Sequence, residues 1–137
     1  MKQLQVFTDG GSRGNPGPAA CGVAVYENIN GQLKLIDSFS KFLGVTTNNQ
    51  AEYQGVILAL EKLTPHKDSE LSFFLDSLLV VQQLKQEYKV KDKELGKLFL
   101  QTWNLLSSYK KVSFKHVPRE KNKEADRLVN EELDRHK

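Results

Sequence analysis

Four acidic residues, Asp9, Glu52, Asp76 and Asp126, each stand at the edge of an apolar segment of the sequence. Burial of an unpaired carboxylate is strongly unfavourable, so four that converge on one place would need a cationic partner. The simplest such partner is a divalent metal ion, because hard cations prefer oxygen ligands. The residue types therefore predict a carboxylate metal site, provided that the fold brings the four segments together.

The first acid ends a predicted strand. Over residues 4–9 the side chains alternate between two faces, which is the period of a β-strand that finishes at Asp9. A loop rich in glycine and proline follows over residues 10–18, and two further strands are predicted near 22–27 and 33–42. These three strands predict an antiparallel meander.

The second acid lies on a predicted helix. Thr47 and Gln50 fit the capping box of a helix start, with Thr47 as the cap and the Gln50 side chain reaching back to it. The helix is predicted to run to about Leu63. A step of four residues back from Val56 on its apolar stripe reaches Glu52, so a glutamate heads the buried face.

The remaining segments place the other two acids at comparable positions. We predict a strand over residues 71–75, helices over 77–86 and 93–109, a strand over 112–116 and a last helix from 123. Two acids then lie at strand ends and two in the first turns of helices. The order of elements predicts an α/β fold, and ligands of open α/β sheets bind outside the carboxyl ends of the strands.

Composition excludes several other classes. The 137 residues carry a formal charge of +3 and a single cysteine, Cys21, which rules out an internal disulfide or a thiolate-rich zinc site. We expect one domain over residues 1–137. No apolar stretch approaches the roughly 18 residues of a membrane span, and the strand pattern begins close to Met1. We therefore expect no membrane partner, no signal peptide and a cytoplasmic location.

Five segments, taken in order, resemble the signatures of type 1 ribonuclease H. They are Thr8–Gly17, Thr47–Glu52, Asp76–Ser77, His116 and Asn122–Asp126. The resemblance covers nearly the whole chain. It implies the ribonuclease H-like fold, a five-stranded mixed sheet with three antiparallel strands followed by parallel ones, flanked by helices on both faces.

The resemblance also implies an activity. Family members hydrolyse the RNA strand of RNA–DNA hybrids and leave 5′-phosphate and 3′-hydroxyl ends. By resemblance, Asp9, Glu52, Asp76 and Asp126 hold two Mg²⁺ ions, with Asp9 bridging both and Mn²⁺ as a substitute. Paired metals suit such an in-line displacement, because one activates the attacking water and the other stabilises the leaving oxygen.

Substrate contacts are implied near the start of the first helix and in the glycine-rich loop. The implied residues are Gly11, Ser12, Gly14, Asn15, Thr47, Asn48 and Asn49. Ser12, Gly14 and Asn15 would meet RNA 2′-hydroxyls, Asn48 and Asn49 would enter the minor groove, and Thr47 would hold a DNA phosphate. Turn and capping chemistry also explains Asn15 and Thr47, and both explanations hold together.

Two further residues resemble catalytic positions after the last strand. His116 matches the mobile-loop histidine that many members use for proton transfer or product release, although a histidine at a strand end is often structural. Arg119 resembles an arginine of archaeal-like members, where it would steady phosphate charge. Four lysines of an earlier lysine-rich stretch are explained either as a solvated face or as phosphate contacts. These are Lys85, Lys89, Lys91 and Lys93.

The sequence departs from the larger members at two places. The short segment between Asp76 and Val112 lacks a basic protrusion, as in compact archaeal-like members, and Leu78 replaces a polar residue. Activity on double-stranded RNA stays open, and a monomer is expected. A catalytically weak module that binds hybrid or double-stranded RNA is the alternative. A sugar or nucleotide phosphotransferase is disfavoured, because that fold usually needs two such domains to clasp ATP.

Overall fold

The computed structural model describes residues Met1–Lys137 as five strands, four α-helices and two short 3₁₀ helices. The strands are β1 (Gln3–Ser12), β2 (Gly17–Ile29), β3 (Gln32–Thr46), β4 (Glu70–Leu75) and β5 (Lys111–His116). The helices are α1 (Asn48–Lys62), α2 (Leu78–Leu84), α3 (Lys93–Leu106) and α4 (Lys123–Arg135). None of the helices combines the length and the apolar composition that a membrane-spanning segment requires.

The strands form one mixed sheet in the order β3-β2-β1-β4-β5. β1 pairs antiparallel with β2, and β2 pairs antiparallel with β3. β4 lies parallel to β1, and β5 lies parallel to β4. The predicted order of three antiparallel strands followed by parallel ones is therefore confirmed.

Two glycines show how helices cover both faces of the sheet. Gly10 lies against α1, where an added Cβ would stand 2.2 Å from the Ala51 carbonyl. Gly22 lies against α4, where a Cβ would stand 2.8 Å from the Ala125 carbonyl oxygen. Gly22 pairs with Asp9, the neighbour of Gly10. Because successive strand residues face opposite sides, α1 and α4 lie on opposite faces.

Each face has its own apolar core. The larger core lies between the sheet and α1, α2 and α3, and includes Val6, Leu60 and Phe73. The smaller core lies under α4 and contains Ala20, Val129 and Leu133. Both cores fix the helices that carry acidic residues.

The first two strands are longer than predicted. Pairing continues past Asp9 to Ser12 opposite Ala19, so the expected loop over 10–18 shrinks to residues 13–16. Glycines permit this extension, because Gly10 lets the strand approach the α1 backbone without a side chain. Asp9 therefore lies inside β1 rather than at its end.

Candidate metal centre

Three of the four acids converge at one place in the structure. Asp9, Glu52 and Asp76 each offer one ligand oxygen, and these three oxygens all lie within 4.8 Å of one another. The side chains differ in burial, since Asp9 is 3% exposed, Glu52 is 5% exposed and Asp76 is half-buried. The group thus opens to solvent on the Asp76 side.

The parallel pair β1 and β4 sets Asp9 beside Asp76. Phe7 and Phe74 are register partners, and their rings stack with centroids 4.8 Å apart. Each acid follows its phenylalanine by two residues and so shares its face of the sheet. For β1, this alternation was expected from the pattern over residues 4–9. Parallel pairing ends at Phe7 and Phe74, which leaves the acids just beyond the paired region.

Glu52 reaches the same place from α1. Its Oε1 accepts a hydrogen bond of 3.0 Å from the backbone N–H of Gly10. Glu52 is the fifth residue of α1, so the expectation that it lies in the first turn was wrong. The contact depends instead on the close approach of α1 to β1 at Gly10.

The start of α1 is capped only in part as predicted. The Thr47 hydroxyl accepts a hydrogen bond of 3.2 Å from the Gln50 backbone N–H, as expected for a cap. The Gln50 side chain accepts instead from the Thr46 hydroxyl and does not return to Thr47. The reciprocal half of the predicted capping box was therefore wrong.

Burial dominates the electrostatics of the centre. It raises the pKa of Asp9 from 3.8 to about 7, aided by the charges of Asp76 and Asp126 and opposed by hydrogen bonds with Glu52 and Gly10. Burial also raises the pKa of Glu52 well above its ordinary value, and the neighbouring Asp9 charge raises it further. Both shifts have the direction expected when acidic groups are buried together without a neutralising cation.

Two oxygens of this buried pair have no hydrogen-bond partner. They are Oδ1 of Asp9 and Oε2 of Glu52. An unpaired buried oxygen is unfavourable, and a bound divalent cation would supply the missing partner to both. The donor set consists only of carboxylate oxygens, which suits a hard divalent ion. The geometry and chemistry therefore fit a metal centre.

Asp126 borders the group without joining it. It lies in the first turn of α4, as predicted, and is half-buried. Its charge contributes to the raised pKa of Asp9, which places it near the centre. Its oxygens are not among those that cluster within 4.8 Å. A role for Asp126 in metal binding stays a prediction.

Asn122 is a site residue to which the sequence assigned no role. It is 1% exposed, and its Nδ2 donates to the Thr8 carbonyl oxygen at 2.9 Å and to Asp76 Oδ2 at 3.2 Å. An asparagine before an amphipathic helix ordinarily indicates an N-cap. Asn122 does precede α4, but its side chain makes no capping hydrogen bond. The side chain is turned into the centre instead.

The residues expected to bind substrate form a connected polar surface. Asn48 Oδ1 accepts from both the backbone N–H (2.9 Å) and the hydroxyl (3.1 Å) of Ser12. The Asn48 backbone N–H donates to Asn15 Oδ1 at 3.0 Å. Gly14 has a φ of 102°, which suits glycine in this turn. The turn and the start of α1 are thus held together.

The other predicted contact residues lie beside this network. A Cβ on Gly11 would stand 4.0 Å from Asn48 Oδ1, so Gly11 faces the same surface. Thr47 and Asn49 line a groove with Asn15 and Asn48. The whole predicted substrate set therefore occupies one continuous region.

His116 and Arg119 lie at the end of the sheet where Asp76 follows β4. His116 is the last residue of β5 and pairs with Leu75, which directly precedes Asp76. Val117 then donates a hydrogen bond of 2.9 Å to the Leu75 carbonyl. Both His116 and Arg119 are exposed. This position leaves their side chains free to meet a substrate, and their catalytic roles stay predictions.

The sequence matches the family described as reverse transcriptase-like over residues 7–132. It is 40% identical over 132 residues to the bifunctional protein Rv2228c of Mycobacterium tuberculosis, covering 96% of this chain and 36% of that protein. It is 36% identical over 132 residues to ribonuclease HI of Halobacterium salinarum, covering 96% of this chain and 65% of that protein. The chain thus spans less than two thirds of either relative.

One solved structure matches this chain over almost the full length of both chains. The structure of LC11-RNase H1 in complex with an RNA/DNA hybrid matches with a TM-score of 0.90 and 40% identity. The match covers 97% of this chain and 98% of the LC11 chain. The arrangement of strands and helices is therefore shared over nearly every residue.

Proposed function

Because this chain belongs to the type 1 ribonuclease H family, we propose that it is an endoribonuclease that hydrolyses the RNA strand of RNA–DNA hybrids. The observation that carries this proposal is the convergence of Asp9, Glu52 and Asp76, whose ligand oxygens lie within 4.8 Å of one another. The hybrid bound to LC11-RNase H1 supports the choice of substrate. We assign the activity to residues 1–137 acting as one domain.

The cofactor of this activity is Mg²⁺, with two ions per site and Mn²⁺ as a substitute. Asp9, Glu52, Asp76 and Asp126 would hold the ions. The support is the carboxylate-only donor set and the two buried oxygens of Asp9 and Glu52 that lack partners. When bound, the ions supply activation of the attacking water and stabilisation of the leaving 3′-oxygen, which gives 5′-phosphate and 3′-hydroxyl products.

The protein contributes a fixed arrangement of ligands. The Gly10 N–H holds one oxygen of Glu52, and Asn122 holds one oxygen of Asp76. Ligands held in this way need little rearrangement when the substrate arrives. Because the pKa of Asp9 is about 7, its carboxyl group loses its proton as the pH rises through neutrality and becomes a better metal ligand. Activity should therefore increase from pH 6 to pH 8.

The polar surface beside the centre would select the hybrid. Ser12, Asn15 and Asn48 present backbone and short polar groups, which suit recognition of 2′-hydroxyls across a minor groove. Gly11, Gly14, Thr47 and Asn49 complete that surface. His116 would transfer a proton or assist product release, and Arg119 would steady phosphate charge.

A cleavage assay with matched variants tests the proposal. Labelled RNA–DNA hybrid, double-stranded RNA and double-stranded DNA are incubated with the protein in Mg²⁺ and in EDTA. We expect cleavage of the hybrid RNA strand in Mg²⁺ only, and a loss of more than about a hundredfold for Glu52→Gln. The matched control is Glu61→Gln, an exposed position on the same helix.

The outcomes separate the proposal from its alternatives. Cleavage of hybrid that survives in EDTA, or in Glu52→Gln, would refute the metal-dependent mechanism. Binding of hybrid without cleavage in Mg²⁺ would favour a catalytically weak binding module. The double-stranded RNA arm decides whether that substrate is accepted. We also propose a monomer acting in the cytoplasm, and for both properties the support is the sequence alone.

A further inference from the structure

Asn122 connects segments that are far apart in the sequence. Its Nδ2 donates to Asp76 Oδ2 at 3.2 Å, across 46 positions, and to the Thr8 carbonyl oxygen at 2.9 Å, across 114 positions. Thr8 immediately precedes Asp9 on β1. A single amide nitrogen therefore contacts the strand that carries one acid and the carboxylate of another.

The backbone of Asn122 reaches a third acid. Its carbonyl oxygen accepts a hydrogen bond of 3.1 Å from the Asp126 N–H, at the start of α4. That bond fixes the first turn of the helix, and so the position from which the Asp126 side chain extends. Asn122 is thus bonded to the immediate surroundings of Asp9, Asp76 and Asp126.

The amide can adopt only one orientation here. Both partners of Nδ2 are acceptors, because one is a carbonyl oxygen and the other is a carboxylate oxygen. A rotation of the amide by 180° would place Oδ1 against two acceptors, which is unfavourable. A primary amide has two N–H groups on one nitrogen, so it serves both acceptors without adding charge. A carboxylate at this position would serve neither.

Stability alone does not account for the residue. Asn122 is 1% exposed, and its Oδ1 has no hydrogen-bond partner. A buried carbonyl oxygen without a donor destabilises a fold. A serine or threonine would cap α4 without that penalty. The contacts of the Nδ2 group are what the fold gains from an asparagine.

We propose that Asn122 is a positioning residue that sets the distances among the acids on β1, β4 and α4. It does so from outside the set of ligands, through the Nδ2 group, which donates to Thr8 and Asp76, and the backbone carbonyl, which accepts from the Asp126 N–H. The metal-binding part of this proposal needs no substrate, and only its kinetic part rests on the proposed hybrid cleavage. Loss of the two Nδ2 contacts should loosen Asp76 and the part of β1 at Thr8 and Asp9 together, and so weaken metal binding.

The experiment measures Mn²⁺ binding to folded protein without nucleic acid. Calorimetric titration is carried out on the wild type, Asn122→Ala and Asn122→Ser, with Asn104→Ala as a control at an exposed position on α3. We expect Mn²⁺ affinity to fall about ten- to hundredfold for alanine, as for other residues that orient metal ligands. Serine keeps one donor for two acceptors, so its affinity should be intermediate. Asn104→Ala should match the wild type.

Two further measurements distinguish a local effect on metal binding from a general effect on folding. Urea unfolding in EDTA reports the stability of each variant, and hybrid cleavage separates kcat from KM. We expect kcat to fall with Mn²⁺ affinity, KM to change less than about threefold, and excess metal to restore part of the rate.

Each outcome decides the proposal. Mn²⁺ affinity within twofold of the wild type in folded Asn122→Ala would overturn it. If neither variant folds without metal, Asn122 is a folding residue and the positioning role is also overturned. If the wild type fails to cleave hybrid while Asn122→Ala still weakens Mn²⁺ binding, the positioning role stands and the proposed nuclease activity falls.

Discussion

Replacement of Asp9 with asparagine should stabilise the metal-free protein while it removes activity. Asp9 is 3% exposed, and its Oδ1 has no partner. The D9N side chain cannot ionise beside the buried carboxyl group of Glu52. It also brings an N–H donor close to Glu52, whose Oε2 likewise lacks a partner. Both changes remove an unfavourable contribution that a bound cation would otherwise offset.

The magnitude follows from the pKa of Asp9, which is raised from 3.8 to about 7 in the folded protein. Below pH 3.8 the carboxyl is protonated in both folded and unfolded chains, and its contribution to stability is complete. That contribution is lost as the pH rises through about 7, because only the unfolded chain ionises readily. Roughly three pKa units correspond to a ceiling of about 4 kcal/mol. Coupling to Glu52 and local relaxation reduce this, so we expect a gain of about 1–3 kcal/mol for D9N at pH 8.5.

The assay is urea unfolding in EDTA at pH 4.5 and pH 8.5, for the wild type, D9N and the exposed control E61Q. The advantage of D9N should be large at pH 8.5 and small at pH 4.5, while E61Q should follow the wild type at both. Hybrid cleavage by D9N in Mg²⁺ should be undetectable. A D9N protein that is no more stable than the wild type at pH 8.5, or whose advantage is independent of pH, would show that the burial of Asp9 does not destabilise the metal-free fold.

Three further predictions follow from the same geometry. Mg²⁺ should raise the melting temperature of the wild type more at pH 8.5 than at pH 5.5, because metal ions compete with protons for the acidic side chains. In differential scanning fluorimetry, an equal shift at the two pH values would contradict this. Asp76→Asn should reduce cleavage at saturating Mg²⁺ more than Asp126→Asn, because only Asp76 joins the close group of oxygens; the reverse ranking would place the metal nearer α4. Gly22→Ala should destabilise by about 1–3 kcal/mol in urea unfolding, because its Cβ would meet the Ala125 carbonyl at 2.8 Å. The added Cβ of Gly96→Ala on α3 meets no atom within 4 Å, so this change should stabilise the fold by about 0.5–1 kcal/mol. Equal effects of the two changes on the free energy of unfolding would show that α4 shifts to accommodate a Cβ at position 22.

Strand alternation made much of the centre predictable. Asp9 within β1 and Asp76 directly after β4 have the same spacing from Phe7 and Phe74, and the structure stacks those rings in register. The apolar stripe of α1 likewise placed Glu52 on the buried face. Local patterns of this kind report which side a residue faces. The ribonuclease H-like fold, expected from the ordered motifs, is confirmed by the match to LC11-RNase H1 at a TM-score of 0.90.

Other features depended on contacts between distant segments. The extension of β1 to Ser12 relies on pairing with β2, which outweighs the tendency of glycines to form a loop. The inward turn of Asn122 depends on acceptors at Thr8 and Asp76, and nothing near position 122 in the sequence indicates them. The distance of Asp126 from the close group depends on how α4 docks over Gly22. Sequence periodicity carries no information about such distances.

The docking of α4 has a consequence for the order in which the metal centre is assembled during folding. α4 spans Lys123–Arg135 and follows in sequence the elements that carry Asp9, Glu52 and Asp76. Until it packs on β2, Asn122 cannot reach Asp76, and the acids on β1, α1 and β4 lack that constraint. A folding intermediate in which α4 has not yet docked should therefore bind metal more weakly than the native protein.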